Sequence, residues 1–421
     1  MERTILHADA NCFYASVEML HHPEYDGLPL AVGGDVETRH GIILTANYIA
    51  KRRGVKTGSA LWEAEKACPG LIIVPPDYEE YLRFSRYLRE IYGIYSDRVE
   101  SFGLDEAWCD VTDSTGILGS GEEIAEEIRR KVKAELGLTV SVGVSWNKIF
   151  AKFGSDYKKP DAVTVVDRES YRTIVWRRPM DDLLYVGRAT NRKLSSFGMH
   201  TIGDIANANP DFLHTLLGKM GTTLYVFANG GDRTPVAMEG TEAPIKSIGN
   251  GMTMPRDLTS NEEVRMAIYM LSESVAARLR ENHFKGRLVE IYVRDNDLSG
   301  ITRQHKISCP TDISMEIAEA AMALFLANYH WERPIRGLCV RVGELAASAC
   351  PYQLNLFQSE EEREKQRKMD IAVQEIRGRF GTEAVQRGLM AFGPEITPRK
   401  RLEQTIHPHS YMERGNRVME G

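Results

Sequence analysis

Long apolar runs are missing from this 421-residue chain: none is long enough to cross a bilayer. The start, MERTILHADANCFY, carries charge where a signal peptide needs its apolar stretch. Neither a membrane span nor an exported protein is expected, and the expected address is cytoplasmic. Cysteine is sparse too. The six present, at positions 12, 68, 109, 309, 339 and 350, form no CxxC pair and keep no metal-ligand spacing with histidine, so neither a disulfide framework nor a zinc site is expected. No repeat of fixed period and no Walker-type phosphate loop is present. A net charge of −6 argues against a wholly basic nucleic-acid coat, but the balance is uneven. Residues 1–166 hold 19 Lys and Arg against 26 Asp and Glu, net −7, whereas residues 167–421 hold 34 against 33, net +1. The acid excess lies in the first part, where a cation site would sit.

What is there is several domains' worth of alternating pattern. Short strands are predicted over 4–7 and 30–32, a further apolar run stands at 42–46, a boundary falls at 71–76, and helices are predicted over 13–20 and 78–95, the second marked by apolar spacing at Tyr81, Phe84, Leu88, Ile91 and Tyr95. A charged amphipathic helix follows with Ile124, Ile128 and Val132 on one face, then the alternating strand TVSVGVS. From about 167 to 233 the pattern is helical with closely spaced glycines, and GGDRTPVAMEGTEAP reads as a linker. Beyond it come a capping box at Thr259 and Glu262, a helix, strands at 288–293 and 300–307, a helix near 312–329 and a strand at 338–342, close to βαββαβ. The class is α+β.

In ESFGLDEAWCD two adjacent acids, Asp105 and Glu106, stand inside a strand-like stretch. Neighbours on a regular strand face opposite ways, so Gly103 suggests a tight turn that lets both acids face one cavity. Two close anions need a shared proton or a cation; the plain alternative is a solvated hairpin tip. Asp9, at the end of the first strand in LHADANCFYA, adds a third acid, or else a helix N-cap. In SWNKIFAKFGSDYKKPDA, Lys148, Lys152, Lys158 and Lys159 interleave with small and apolar residues, facing an anionic substrate or simply solvent. With TANYIAK, whose Thr45, Tyr48 and Lys51 are expected on successive turns of one helix, the set describes a nucleoside triphosphate and its metals.

HADANCFYASVE, TANYIAKRRGV, GLDEAWCDV and GVSWNKIFAKFGSDYKKP, in this order, resemble the Y-family DNA polymerases, the low-fidelity enzymes that copy past damaged template, and among them a bacterial polymerase IV-like member. The resemblance covers about residues 1–358. It implies a right-hand polymerase with an α/β palm (1–10 and 78–166), small fingers (11–77), a helical thumb of helix-hairpin-helix type (167–233), a linker (234–244), a βαββαβ little finger (245–346) and a tail (347–421). It implies that Asp9, Asp105 and Glu106, with the Ala10 carbonyl, hold two Mg²⁺ ions, with Mn²⁺ an alternative. Thr45, Tyr48, Lys51 and Lys159 would meet a deoxynucleoside triphosphate, and Tyr14 would be the steric gate against a ribose 2′-OH. Primed DNA would lie along Arg287, Arg294, Arg303 and Lys306 on adjacent strands, with several of them expected on one sheet face. QLNLF, with Gln353, Leu354, Leu356 and Phe357, resembles the peptide that docks on the bacterial sliding clamp.

Four positions depart from the family pattern: Lys51 replaces the usual Arg, Asn11 a frequent Asp, Gly103 the frequent Ser, and Tyr185 the first glycine of the thumb hairpin. A monomer is expected. The competing readings are a catalytically silent, clamp-tethered DNA-binding factor, which has no use for the acids or Tyr14, and a nucleotide cyclase, which has none for the thumb or QLNLF.

Overall fold

The computed structural model describes residues 2–34, 41–241, 244–351, 359–381 and 383–392. The described residues fall into two compact units, one up to Thr241 and the other from position 244 onward.

The first unit is organised by a five-stranded sheet of order β5-β6-β1-β7-β8: β5 (Val99–Ser101), β6 (Glu106–Asp110), β1 (Ile5–Ala10), β7 (Val140–Ser145) and β8 (Val163–Val165). Central β1 runs antiparallel to β6 and β7. Every residue of β1 and β7 is buried. Both faces are covered. Leu6, Ala8, Val140, Val142 and Val144 pack with Ile124, Ile128 and Val132 of the helix Gly121–Leu136 and with Tyr81 and Leu88 of the helix Tyr78–Gly93. The other face takes the helix Lys148–Tyr157. Its approach is so close that a Cβ on Gly143 would stand 1.9 Å from the Ala151 carbonyl oxygen. Only glycine permits that seating.

A smaller sheet, β3-β2-β4, is built from β2 (Leu30–Gly33), β3 (Ile43–Ala46) and β4 (Ile72–Val74), as the short apolar runs predict. Ile43, Ala50, Leu61 and Ala64 form its core. Four helices between Arg188 and Ala228 enclose Leu194, Ile202, Leu213 and Leu224. That core is continuous with Trp146 and Phe150, so packing does not break at the expected boundary near 166. Tyr185 takes φ 72°, the left-handed conformation a glycine would adopt there.

The segment read as a linker is fastened to the first unit. Val236 is buried with Ile5, Trp108 and Ala151; the Ala237 N–H donates to Glu100 (2.9 Å) and the Glu239 N–H to the Asp97 carbonyl (3.0 Å).

The second unit has a four-stranded antiparallel sheet, β11-β10-β12-β9, formed by β9 (Ser247–Leu258), β10 (Phe284–Asp295), β11 (Gly300–Thr311) and β12 (Ile335–Ala347). The helices Asn261–Glu281 and Ser314–Asn328 complete the βαββαβ order. The N-cap of the first is Ser260, one residue later than expected: its side chain accepts from the Glu263 N–H, and Glu263 accepts from the Thr259 N–H (2.7 Å). A third helix, Glu360–Phe380, packs on this unit through charge. Buried Arg363 pairs with Glu316 (2.6 Å), Arg367 with Asp312 (3.0 Å) and Arg377 with Glu273 (2.9 Å), while Asp370 accepts from the Ser314 N–H (2.7 Å).

Candidate active site

Directly opposed residues of antiparallel strands share a face, so the pairs Asp9–Glu106 and His7–Trp108 aim their side chains at the helix Lys148–Tyr157. Asp105 sits in the turn before β6, and its carbonyl accepts from the Ala10 N–H (2.9 Å), tying the turn to the end of β1. Three carboxylates thus meet at one edge of the sheet. Phe102 and Gly103 N–H groups both reach the Glu106 carbonyl (3.0 and 3.4 Å), which makes the bend the sequence suggests. A Cβ on Gly103 would approach Asp105 Oδ1 to 3.2 Å.

The acids face a row of lysines from the neighbouring helix and its C-terminal end. Lys159 Nζ lies 2.8 Å from Asp9, Lys152 Nζ 2.5 Å from Glu106 and Lys148 Nζ 2.6 Å from Glu100. Burial pushes the Asp9 and Glu106 carboxyls up, with Lys159 and Lys152 pulling the other way. Among the described residues no lysine or arginine stands as close to Asp105. Burial first, then Asp9 and Glu106, push it to about 7. Burial disfavours the Lys159 ammonium, but Asp9 and Asp156 outweigh it and hold the group above its ordinary value. Among the described residues no three His, Cys, Asp or Glu groups stand in ready coordinating geometry, because Asp9 and Glu106 are turned to their lysines. The donor set nevertheless fits hard divalent cations: three oxygen donors within repulsive reach of one another, one of them half-protonated near neutrality for want of positive charge.

Tyr14, on the helix Phe13–His21, is half-buried beside this cluster. Its ring stacks on Tyr81 at 4.2 Å and meets Tyr78 edge-on, and burial with nearby Asp105 raises its phenol. Tyr81 is fixed from behind by Glu18, whose carboxylate accepts its hydroxyl. Burial, then Cys12, raise Tyr48, which also feels Lys159 and Asp9. Thr45 is not on the helix with Tyr48 and Lys51 but on β3, opposite Val32, because Asn47 caps the helix only after the strand ends. Lys51 is exposed and lies over the Tyr48 ring at 5.2 Å.

In the second unit the register corrects the expected basic face. Arg294 pairs with Gly300 and Lys306 with Leu288, on the face away from the helices. Arg303 pairs with buried Ile291, so it lies on the helix side, where its guanidinium reaches Asn328 (3.1 Å). Arg287 falls at an irregularity between Gly286 and Leu288 and donates to the Ile307 carbonyl (3.1 Å). Arg341, missed in the sequence, faces outward opposite Glu290. Its sign was the two-residue alternation of LCVRVG. Gln353, Leu354, Leu356 and Phe357 lie outside the described residues.

Residues 8–156 match the impB/mucB/samB family and residues 245–356 the C-terminal domain of that family, to which the chain belongs. The fold is shared with a Y-family DNA polymerase chimera, at 24% identity and a TM-score of 0.71, over 82% of this chain and 99% of that one. The chain is 51% identical to DNA polymerase IV of Acetivibrio thermocellus over 93% of its length and 98% of the relative's, and 36% identical to DNA polymerase IV 1 of Bacillus subtilis over 92% of each. It is a Y-family, lesion-bypass DNA-directed DNA polymerase resembling polymerase IV. No helix among the described residues is long and apolar enough to cross a membrane.

Proposed function

We propose that this polymerase extends a primer 3′-OH on a DNA template by phosphoryl transfer at the edge of β1 and β6, with low fidelity. The observation that supports this most is the meeting of Asp9, Asp105 and Glu106 opposite Lys152 and Lys159. Asp9, Asp105, Glu106 and the Ala10 carbonyl would hold two Mg²⁺ ions, or Mn²⁺. Bound there, such cations lower the pKa of an attacking hydroxyl and neutralise charge on a triphosphate and its leaving group. Lys159 and Tyr48 stand on the same side as Asp9 and would offset charge on the triphosphate; Thr45 and Lys51 would contribute from β3 and the adjoining helix. Tyr14, backed by Tyr81, would exclude a ribose 2′-OH by sterics. Arg294, Lys306 and Arg341 share a sheet face suited to DNA phosphates, with Arg287 at its bulge; Arg303 is left to the helix side. QLNLF would tether the enzyme to a sliding clamp.

The test is extension of a primed template with each dNTP and Mg²⁺, comparing the native chain with an Asp105→Ala, Glu106→Ala double variant. Loss of extension by a variant that still folds and binds DNA supports the reading. A native chain that binds DNA but extends nothing returns the silent, clamp-tethered factor.

A further inference from the structure

Tyr81 touches the helix Phe13–His21 at two points. Its ring stacks on Tyr14, with centroids 4.2 Å apart and planes 12° from parallel, and its hydroxyl donates to the Glu18 carboxylate. Tyr14 and Glu18 stand four residues apart on that helix, so they share a face one turn from each other. Ring and hydroxyl of one side chain thus hold this helix against the helix Tyr78–Gly93 in both rotation and register. Tyr14 depends on that support. Its own hydroxyl makes no hydrogen bond among the described residues, and the rings of Phe13, Tyr78 and Tyr81 are what hold it. Glu18 is a costly residue for the place. It is 8% exposed, no lysine or arginine pairs with it among the described residues, and the Tyr81 hydroxyl is the one hydrogen-bond partner of its side chain there. An apolar side chain of similar length would fill the space without the cost of burying a carboxyl group, so packing alone does not account for an acid. Burial, then this bond, raise the Tyr81 phenol, which keeps the proton on Tyr81 and the bond directed at Glu18.

We propose that Glu18 is a positioning residue for sugar selection: by gripping the Tyr81 hydroxyl it fixes the ring on which Tyr14 rests, and so sets how far Tyr14 stands into the space that the 2′-OH of an incoming ribonucleoside triphosphate would take. The inference rests on the reading of Tyr14 as the steric gate. Ring stacking is satisfied over a broad range of offsets, whereas a hydrogen bond is confined in distance and angle. Without the grip the Tyr81 ring slides, Tyr14 follows it, and the 2′-OH is admitted.

Single-nucleotide extension of a primed template by the full chain, with ribonucleoside and deoxyribonucleoside triphosphates in turn, tests this. Tyr81→Phe keeps the ring and removes the donor, Glu18→Leu removes the acceptor, and Glu18→Gln keeps an amide oxygen that accepts the same proton. The kcat/KM for the ribonucleotide should rise about tenfold in Tyr81→Phe and in Glu18→Leu, the size expected of one strong hydrogen bond, and no further in the double variant, because both changes break the same bond. Glu18→Gln should return it close to the native level. A role in packing alone would lower incorporation of both sugars together and would not be rescued by glutamine. Ribonucleotide incorporation that does not rise in Tyr81→Phe overturns the inference, whether or not Glu18→Leu folds; so does a parallel loss of both sugars in the variants. Tyr14→Ala tests the reading beneath: if ribonucleotide incorporation does not rise there, the steric gate itself is refuted.

Discussion

Asp105 is the acid whose charge is least compensated, and this makes a definite pH dependence. Its folded-state pKa of about 7 lies above the ordinary carboxyl value, so between roughly pH 4 and 7 the folded chain keeps a proton that the unfolded chain has lost. Metal-free stability falls as pH rises through that window, and the whole penalty is present at pH 8. Asp105→Asn should therefore melt above the native chain at pH 8, by roughly 2–4 °C for each kcal/mol of that penalty in a unit of this size, and not above it at pH 4. Calorimetry with a chelator present decides it; an equal gain at both pH values would refute the electrostatic cause. Asp9, Asp105, Glu106 and Lys159 were legible in the sequence because each sits in a short, unusual pattern of acids or lysines beside apolar residues. The grip of Glu18 on Tyr81 was not. It spans 63 positions, and a lone glutamate in an apolar helix pattern carries no local sign of its partner.

Helices were read well wherever an apolar stripe faced a core, as over Tyr78–Gly93, because burial of that stripe is also what stabilises them. The helix Glu360–Phe380 lacked that sign, since it packs by charge, and was legible only as a charged helical stretch over 360–390, longer than the helix itself. Its side chains pair with carboxylates of the second unit: Glu316 has Arg363, itself buried, and Asp312, 1% exposed, has Arg367. Breaking a buried pair from one side costs about 3–5 kcal/mol, so Arg363→Ala should lower the second unit's unfolding free energy by that order, whereas Lys368→Ala, in an exposed pair with Glu364, should shift it by under about 1 kcal/mol. Denaturant melts of the two variants test this; similar losses would mean the helix is held by something other than its buried charges. β9 and the full lengths of β10 and β12 were missed for a related reason, glycines at 249, 251, 286, 337 and 343 interrupting the apolar alternation on which strand reading depends.

For the molecule as a whole, the order of its parts was legible from motif sequence and glycine-rich breaks, but the course of residues 232–239 was not. Composition said linker, while one buried valine and three backbone hydrogen bonds make the stretch part of the first unit. Glu100 is its main fastening, since it accepts from both Ala237 N–H and Lys148. Glu100→Ala should make the chain several-fold more sensitive to limited proteolysis between 232 and 241, with cleavage elsewhere unchanged; a native cleavage pattern would show that Val236 alone holds it. The same fastening has a mechanical meaning. The connection meets Glu239 on the Asp97 carbonyl first and then Ala237 on Glu100, whose carboxylate also holds Lys148, the first residue of the helix that presents Lys152 to Glu106 and leads to Lys159 beside Asp9. The end of the first unit is thus anchored to the same carboxylate that anchors the helix of the site's counter-charges.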